Sequence, residues 1–189
     1  MEKLSNREIE VRFLNVNANE LKQKLKILGA KDLGEDFLEE IIFYDKELEW
    51  EKEKRKFVRL RKQKGNVSLT YKYRHEESAT GTEEIEFQVS DLKKAKALLE
   101  NIGLVASREQ EKKRHSFELN KTRFDFDILP TVPCYLEIEA SSEQELKEGA
   151  ALLGLDWSQA IMEDPRKMVE KRYNIPIGRL KYFTFQRIE

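Results

Sequence analysis

A Glu-Ile-Glu motif occurs three times in this chain, beginning at Glu8, Glu84 and Glu137. Successive side chains of a β-strand point to opposite faces, so the two glutamates of each motif share one face and the isoleucine lies on the other. Carboxylate oxygens are the ligands that Mg²⁺ and Mn²⁺ prefer. The motifs therefore predict a metal site on the charged face of a sheet. The six glutamates are Glu8, Glu10, Glu84, Glu86, Glu137 and Glu139.

Basic residues follow the same alternating pattern. Arg59 and Arg61 are separated by Leu60, and Lys72 and Arg74 are separated by Tyr73. Such short segments, with one apolar and one ionisable face, are typical of strands. The ionisable residues in this register are Arg12, Arg59, Arg61, Lys72, Arg74, Lys112, Arg114, Asp125 and Asp127.

The charged faces have two interpretations. In an ordinary half-exposed antiparallel sheet they would face solvent. However, the segments sort into mostly acidic and mostly basic strands, which costs self-repulsion unless a charged ligand lies between them. We also expect four helices, near residues 19–28, after Ser90, from Ser142 and over 165–173. These helices need an apolar surface to pack against, and the apolar faces of the strands supply it. We therefore expect the charged faces to point inward.

The composition excludes several classes of protein. The chain has 189 residues with 35 Lys and Arg against 36 Asp and Glu, so it lacks the basic excess of a general nucleic-acid or membrane binder. A single cysteine, Cys134, excludes an internal disulfide. No stretch is apolar enough to span a bilayer, and residues 1–3 do not lead into a signal peptide. We expect one cytoplasmic domain over residues 1–189, with no nucleic-acid or membrane partner.

The ordered motifs resemble the CYTH domain. This family is also called the triphosphate tunnel metalloenzymes, and it includes class IV adenylyl cyclases, thiamine triphosphatases and inorganic triphosphatases. The resemblance covers about residues 5–175 and leaves the role of 176–189 open. It rests on Glu8-x-Glu10-x-Arg12, Arg59 with Arg61, Leu69-Thr70-x-Lys72, Glu84-x-Glu86, Lys112-x-Arg114, Asp125 with Asp127, and Glu137-x-Glu139.

The resemblance implies an α+β fold. It is an eight-stranded antiparallel β-barrel that forms a tunnel with a charged interior, and the helices pack outside. The family's first strand usually ends its motif in lysine, where this chain has Arg12. A guanidinium can hold phosphate, but it hardly serves as a proton acceptor because it stays protonated. This departure gives weight to a cyclase or a purely binding role.

The resemblance also implies roles for the charged residues. Arginine gives bidentate donors to phosphate and lysine gives a point charge. We assign direct catalytic contacts to Arg12 and Lys72, and we place Glu84 and Glu86 in a second layer around the metal. The expected substrate-binding residues are Arg12, Arg59, Arg61, Lys72, Arg74, Lys112 and Arg114. The expected ligands of Mg²⁺ or Mn²⁺ are Glu8, Glu10, Asp125, Asp127, Glu137 and Glu139.

The leading hypothesis is metal-dependent hydrolysis of the terminal phosphoanhydride of inorganic triphosphate, a nucleoside triphosphate or thiamine triphosphate. The first alternative is cyclisation of ATP to cyclic AMP and pyrophosphate, and the second is binding of polyphosphate or triphosphorylated ligands without catalysis. A homodimer is a further expectation from the family. We also expect the carboxylates to repel one another without metal, so that Glu137→Ala or Glu139→Ala would stabilise the ligand-free protein.

Overall fold

The computed structural model describes residues 6–53, 56–75, 78–79 and 82–189, without the side chains of residues 6–8 and 51. The side chain of Glu8, an expected metal ligand, therefore lies outside the described residues. No helix in these ranges is long and apolar enough to cross a membrane.

Ten strands of the described chain form one sheet. Its order is β1-β6-β5-β4-β3-β7-β8-β9-β2, with every neighbouring pair antiparallel, and β10 pairs in parallel with β7. The strands are β1 Asn6–Glu8, β2 Glu10–Phe13, β3 Lys31–Asp45, β4 Lys56–Gln63, β5 Asn66–Arg74, β6 Thr82–Val89, β7 Leu104–Leu119, β8 Thr122–Ile128, β9 Tyr135–Glu139 and β10 Tyr182–Phe183.

The N-terminal segment joins the two edges of this sheet. β1 pairs with β6 at one edge, and β2, one residue later, pairs with β9 at the other. With β1 and β2 counted as one strand and the two-residue β10 set aside, eight antiparallel strands curl around a common interior. The fold prediction, an α+β protein with a curled eight-stranded antiparallel sheet, is confirmed.

The helices begin and end where the sequence indicates. Asn17, Asp91, Ser142 and Asp164 each accept a backbone N–H at a helix N-terminus, and Gly154 ends a helix in the left-handed conformation. The α-helices of the described chain are α1 Ala18–Ile27, α2 Glu49–Glu53, α3 Leu92–Asn101, α4 Glu143–Leu153 and α5 Pro165–Tyr173. Two 3₁₀ helices follow α4 and α5, at Trp157–Gln159 and Ile177–Arg179.

The helices cover the apolar outer faces of the strands. Leu25 of α1 and Leu146 of α4 pack with Val11, Phe124 and Ile138 in one cluster. A second cluster joins Leu99 of α3 to β3 and β4, and a third joins α5 to the ends of β8 and β9. Because the alternate side chains of the same strands face away from these clusters, the charged residues point to the interior.

Candidate functional site

A cavity of about 430 Å³ lies inside the curled sheet. The described residues that line it include ten arginines and lysines and seven carboxylates. The cations are Arg12, Arg59, Arg61, Lys72, Arg74, Arg108, Lys112, Arg114, Arg123 and Arg166. The carboxylates are Glu10, Glu40, Glu84, Glu86, Glu137, Glu139 and Asp164.

Strand register sets the order of the charges on one wall. Arg61 of β4 lies opposite Glu40 of β3, and Glu40 lies opposite Gln110 of β7. One step along, Arg59 lies opposite Ile42, and Ile42 lies opposite Arg108. Residues directly opposite in an antiparallel pair are about 4.5–5.5 Å apart at Cβ, so each row forms a continuous strip across three strands.

Buried Glu40 holds the two arginines that the sequence pairs together. Its Oε1 accepts from Arg61 Nε at 2.6 Å and lies 3.8 Å from Arg59, and its Oε2 accepts from Gln110 Nε2 at 2.5 Å. Burial disfavours the charged carboxylate, but Arg61 and Arg59 outweigh this and lower the pKa of Glu40 far below its ordinary value. Arg61 makes no other hydrogen bond within the described residues. Its terminal amino groups are therefore available to a ligand in the cavity.

The opposite wall is built around Glu137 of β9. This carboxylate forms an ion pair with Arg12 at 2.7 Å and accepts a hydrogen bond from Arg114 at 2.9 Å. Arg12 also pairs with Glu10, and its buried Nε has no hydrogen-bond partner in the described part of the chain. Burial disfavours the charged form of Glu137, but Arg12 and Arg114 outweigh it and keep the pKa of Glu137 well below its usual range.

Asp125 and Asp127 lie behind the cavity wall. They are almost completely buried, at 1% and 0% exposure. Asp127 accepts a bidentate pair from Arg114, at 2.7 and 2.6 Å, and a third donor from Lys112 at 2.8 Å. Asp125 pairs with Arg114 and with Arg123. The two aspartates thus orient cavity cations.

Lys112 differs from the other cations of the site. Burial lowers its pKa, Arg114 lowers it further, and the attraction of Asp127 only partly opposes these effects. By contrast, Arg12 and Arg114 hold their protons more tightly than usual because their carboxylate partners outweigh burial, so the pKa of each is raised. Lys112 is therefore more sensitive to alkaline pH than Arg12 and Arg114.

The structure brings together most residues expected from the sequence. Lys72 pairs with Glu84 at 2.9 Å, and Glu86 accepts from Thr70 at 2.5 Å and lies 3.6 Å from Arg59. All seven expected phosphate-binding residues line the cavity. Of the expected metal ligands, the described side chains of Glu10, Glu137 and Glu139 line it as well, whereas Asp125 and Asp127 do not.

The ion pairs of Glu10 and Glu137 with Arg12 argue against the expected repulsion among the carboxylates, and the stability measurement that decides between the two stays a prediction. Glu10 and Glu137 flank Arg12 and both pair with it instead of facing each other unscreened. Removing Glu137 would leave two buried guanidinium groups with fewer partners. We therefore expect a destabilised ligand-free protein.

Sequence reasoning missed five charged residues of the cavity lining, Glu40, Arg108, Arg123, Asp164 and Arg166, and also the amide of Gln110. A signal existed for two of them, because Arg108 and Gln110 continue the alternation of Lys112 and Arg114 backwards along β7. Asp164 is the N-cap of α5. It accepts from the Arg166 backbone at 2.8 Å and from its guanidinium at 3.0 Å, and Arg166 also bonds the Tyr44 hydroxyl.

The donor set fits a divalent cation by chemistry. Glu10 and Glu139 lie directly opposite each other on β2 and β9, which is unfavourable for like charges unless a cation lies near them. As they stand, Glu10 and Glu137 pair with Arg12, and no three Asp, Glu, His or Cys side chains of the described residues form a metal-binding group. A cation would have to draw its carboxylates away from the arginine.

Comparisons with known proteins agree with this architecture. The CYTH domain family model matches residues 6–164. A Methanocaldococcus jannaschii protein, named as a candidate adenylate cyclase, is 26% identical over 135 residues, which are 71% of this chain and 77% of that protein.

Two solved structures illustrate the shared fold. A Pyrococcus horikoshii protein is 27% identical, with a TM-score of 0.70 over 83% of this chain and 96% of that one. A Hippeastrum protein, described as a candidate adenylyl cyclase with a dominant triphosphatase activity, is 15% identical, with a TM-score of 0.58 over 88% of this chain and 95% of that one.

Proposed function

Because the chain belongs to the CYTH domain family, we propose that it is a divalent-metal-dependent enzyme that hydrolyses the terminal phosphoanhydride of a triphosphate. The observation that carries the proposal is the convergence of ten cationic side chains from separate elements on one cavity. Among the described residues the carboxylates number nine even with the buried Asp125 and Asp127 included, against ten cations. A polyanion is the ligand that this cavity suits.

The arginines have donors to offer such a ligand. Arg61 uses only its Nε on Glu40, and the buried Nε of Arg12 has no acceptor in the described structure. A buried donor without a partner costs about 1–3 kcal/mol, and phosphate oxygens would remove that cost. Catalysis of phosphoryl transfer rests mainly on positioning and on neutralising charge, and a wall of oriented cations provides both.

Arg12 and Lys72 have distinct roles in this proposal. The raised pKa of Arg12 keeps it charged, because Glu10 and Glu137 outweigh the effect of burial. Arg12 therefore stabilises developing negative charge and does not accept a proton. Lys72, paired with Glu84, contributes a point charge from β5.

Glu10, Glu137 and Glu139 are the residues that would hold Mg²⁺ or Mn²⁺. When bound, the cation would neutralise phosphate charge and lower the pKa of a coordinated water. The chain itself would release carboxylates from Arg12, and the freed guanidinium would turn to the phosphates. Metal and triphosphate should consequently strengthen each other's binding, because the metal binds the carboxylates that Arg12 releases and the phosphates bind the guanidinium that the carboxylates release.

The rival activity is cyclisation of ATP. The observation that favours it is the candidate adenylate cyclase that matches 71% of this chain. In cyclisation the ribose hydroxyl attacks the α-phosphorus and pyrophosphate leaves, whereas in hydrolysis water attacks at the terminal phosphorus. Both reactions would use the same phosphate-binding arginines and lysines. A third candidate function is binding without turnover. It stays under test because the permanently charged Arg12 does not accept a proton.

Product analysis separates the three functions. Purified protein is incubated with Mg²⁺ or Mn²⁺ and with tripolyphosphate, nucleoside triphosphates or thiamine triphosphate, and the products are resolved by phosphorus NMR. Hydrolysis yields orthophosphate, and cyclisation yields pyrophosphate with cyclic AMP. Tight binding by calorimetry without any product would identify a binding protein. Absence of both binding and turnover would contradict the proposal.

A further inference from the structure

Two tyrosines of the described chain line the cavity, Tyr44 of β3 and Tyr135 of β9. Both are buried, at 0% and 2% exposure. The Tyr44 hydroxyl accepts a hydrogen bond from the Arg166 guanidinium. The Tyr135 hydroxyl makes no hydrogen bond to another group in the part of the chain that the structure describes. Because buried tyrosine hydroxyls usually have a partner, this one is available to a ligand in the cavity.

The ring and the hydroxyl of Tyr135 have different surroundings. The ring packs in the apolar cluster that joins α5 to the ends of β8 and β9, so its position is fixed by that packing. The hydroxyl lies among charged groups instead. The side chains that act on it electrostatically are Arg12, Arg114, Asp127 and Glu137. Tyr135 therefore holds one neutral hydrogen-bond donor in a fixed place among the charges of the cavity.

Strand register explains why the hydroxyl lies there. Tyr135 lies directly opposite Asp127 of β8, and Asp127 lies opposite Arg114 of β7. Glu137, two residues along the same face of β9, lies opposite Arg12 of β2. Tyr135 thus has one of the expected phosphate-binding arginines on each side and a candidate metal ligand beside it. A phosphate that bound both arginines would lie next to the Tyr135 hydroxyl.

Phosphoryl transfer gives such a donor a use. In the proposed hydrolysis, water attacks the terminal phosphorus, the bond from this phosphorus to the bridging oxygen breaks, and the rest of the triphosphate leaves with the electron pair. Negative charge is redistributed over the phosphate oxygens during this step. A donor that is already oriented towards these oxygens lowers the barrier without giving up its proton.

We propose that Tyr135 is a further catalytic residue, whose hydroxyl donates a hydrogen bond to a phosphate oxygen of the triphosphate held by Arg12 and Arg114. This inference rests on the proposed function and adds one residue to its site. Tyr135 keeps its proton throughout, so it acts neither as a nucleophile nor as a general base. It stabilises the charge that develops on the phosphate oxygens.

Tyr135→Phe tests the inference, because it removes only the hydroxyl and keeps the ring in its cluster. Steady-state kinetics with Mg²⁺ and either tripolyphosphate or ATP give kcat and KM, and calorimetry with the β,γ-imido analogue of ATP gives binding without turnover. We expect kcat to fall about tenfold or more, with KM and the affinity for the analogue within about twofold of the wild-type values. The melting temperature of the ligand-free protein should stay the same or rise, because no hydrogen bond within the protein is lost.

Two other tyrosines supply matched controls. Tyr71→Phe removes a hydroxyl on the outer face of β5, where the ring packs edge-on against Trp50, and it should leave kcat and KM unchanged. Tyr44→Phe removes a hydroxyl that has a protein partner, Arg166, and it should lower the melting temperature. An equally large fall in melting temperature for Tyr135→Phe would make its hydroxyl a structural group and overturn the assignment.

The remaining outcomes distinguish this inference from the proposed function. Hydrolysis with an unchanged kcat in Tyr135→Phe, whether or not KM rises, would overturn the catalytic role while leaving a triphosphate hydrolase. If the wild-type protein forms cyclic AMP instead, the proposed hydrolysis fails, and a tenfold slower formation of cyclic AMP by Tyr135→Phe would still support the role of the hydroxyl. Absence of any turnover in the wild-type protein would overturn both proposals.

Discussion

At the residue scale, the site is a set of ion pairs that neutralise one another. Glu137 bridges Arg12 and Arg114, and Glu40 bridges Arg59 and Arg61. Such buried pairs are held by their mutual attraction against a large desolvation cost, so losing one partner costs more than the pair contributes. The same arrangement keeps the cations oriented before a ligand arrives.

Glu137→Ala should destabilise the ligand-free protein. The change leaves two buried guanidinium groups short of a partner, and the expected loss is about 3 kcal/mol in the free energy of unfolding, measured with denaturant. The control is Glu139→Ala, an exposed residue two positions along β9, with an expected effect within about 0.5 kcal/mol. Equal or greater stability of Glu137→Ala would show that carboxylate repulsion dominates after all.

Glu40→Gln should weaken catalysis through Arg61. The amide keeps the size of the side chain but removes the charge that holds the Arg61 guanidinium, so kcat/KM for triphosphate should fall about tenfold. Glu39→Gln is the matched control, because Glu39 faces outward and pairs with Lys62 on the surface. A similar small loss in both variants would exclude a positioning role for Glu40.

Substrate binding should depend on Lys112 at alkaline pH. Its pKa is lowered, first by burial and then by Arg114, so its charge is lost as pH rises through a value below the ordinary lysine pKa of about 10.4. KM for triphosphate should therefore rise at alkaline pH, and Lys112→Arg should remove that rise because arginine stays protonated. Identical pH profiles of KM for the two proteins would contradict this assignment.

At the element scale, the start of α5 both lines the cavity and stabilises the fold. Asp164 caps the helix and neutralises Arg166, and both side chains are buried. Burial opposes ionisation of Asp164, but Arg166 outweighs it and keeps the pKa of Asp164 far below the ordinary value. The cap of this helix is thus also part of the cavity wall.

Asp164→Ala should lower the free energy of unfolding by about 3 kcal/mol, since it removes a cap and leaves Arg166 buried without its carboxylate. Asp156→Ala is the control, because Asp156 caps only the short 3₁₀ helix Trp157–Gln159, with an expected loss of about 1 kcal/mol or less. Thermal and denaturant unfolding measure both. Equal losses in the two variants would mean that the Asp164–Arg166 pair adds nothing to the cap.

The elements differ in how well the sequence predicts them. Ser142 and Asp164 predict α4 and α5 because capping is local chemistry, readable over four residues. Arg108 continues the alternation of Lys112 and Arg114, but it was not predicted because the opposite face of this part of β7 carries the charged Glu109 and Glu111, so no apolar face marks a strand there. Glu40 was not predicted because the sequence pattern did not identify β3 as a strand. Its inward direction follows from pairing with β4 and β7, which no local pattern contains.

At the scale of the whole molecule, a chain of net charge −1 surrounds a cavity that ten cations and seven carboxylates of the described residues line. The concentration of charged side chains in the interior depends on closure of the sheet. β1 and β2 pair with opposite edges and bring Arg12 beside Glu137. The motifs predicted which residues share a strand face, but only closure decides that those faces meet. The last residues take part too, since β10 pairs with β7 and Phe183 is fully buried.

The central claim is that cations from separate strands bind one triphosphate inside the sheet. A crystal structure with Mg²⁺ and a β,γ-imido nucleoside triphosphate tests it most directly. The account predicts phosphate density within hydrogen-bond distance of Arg59, Arg61 and Arg114, with the metal beside Glu10 or Glu137. Phosphates bound only on the outer surface, or a cavity that holds only water at saturating ligand, would contradict it.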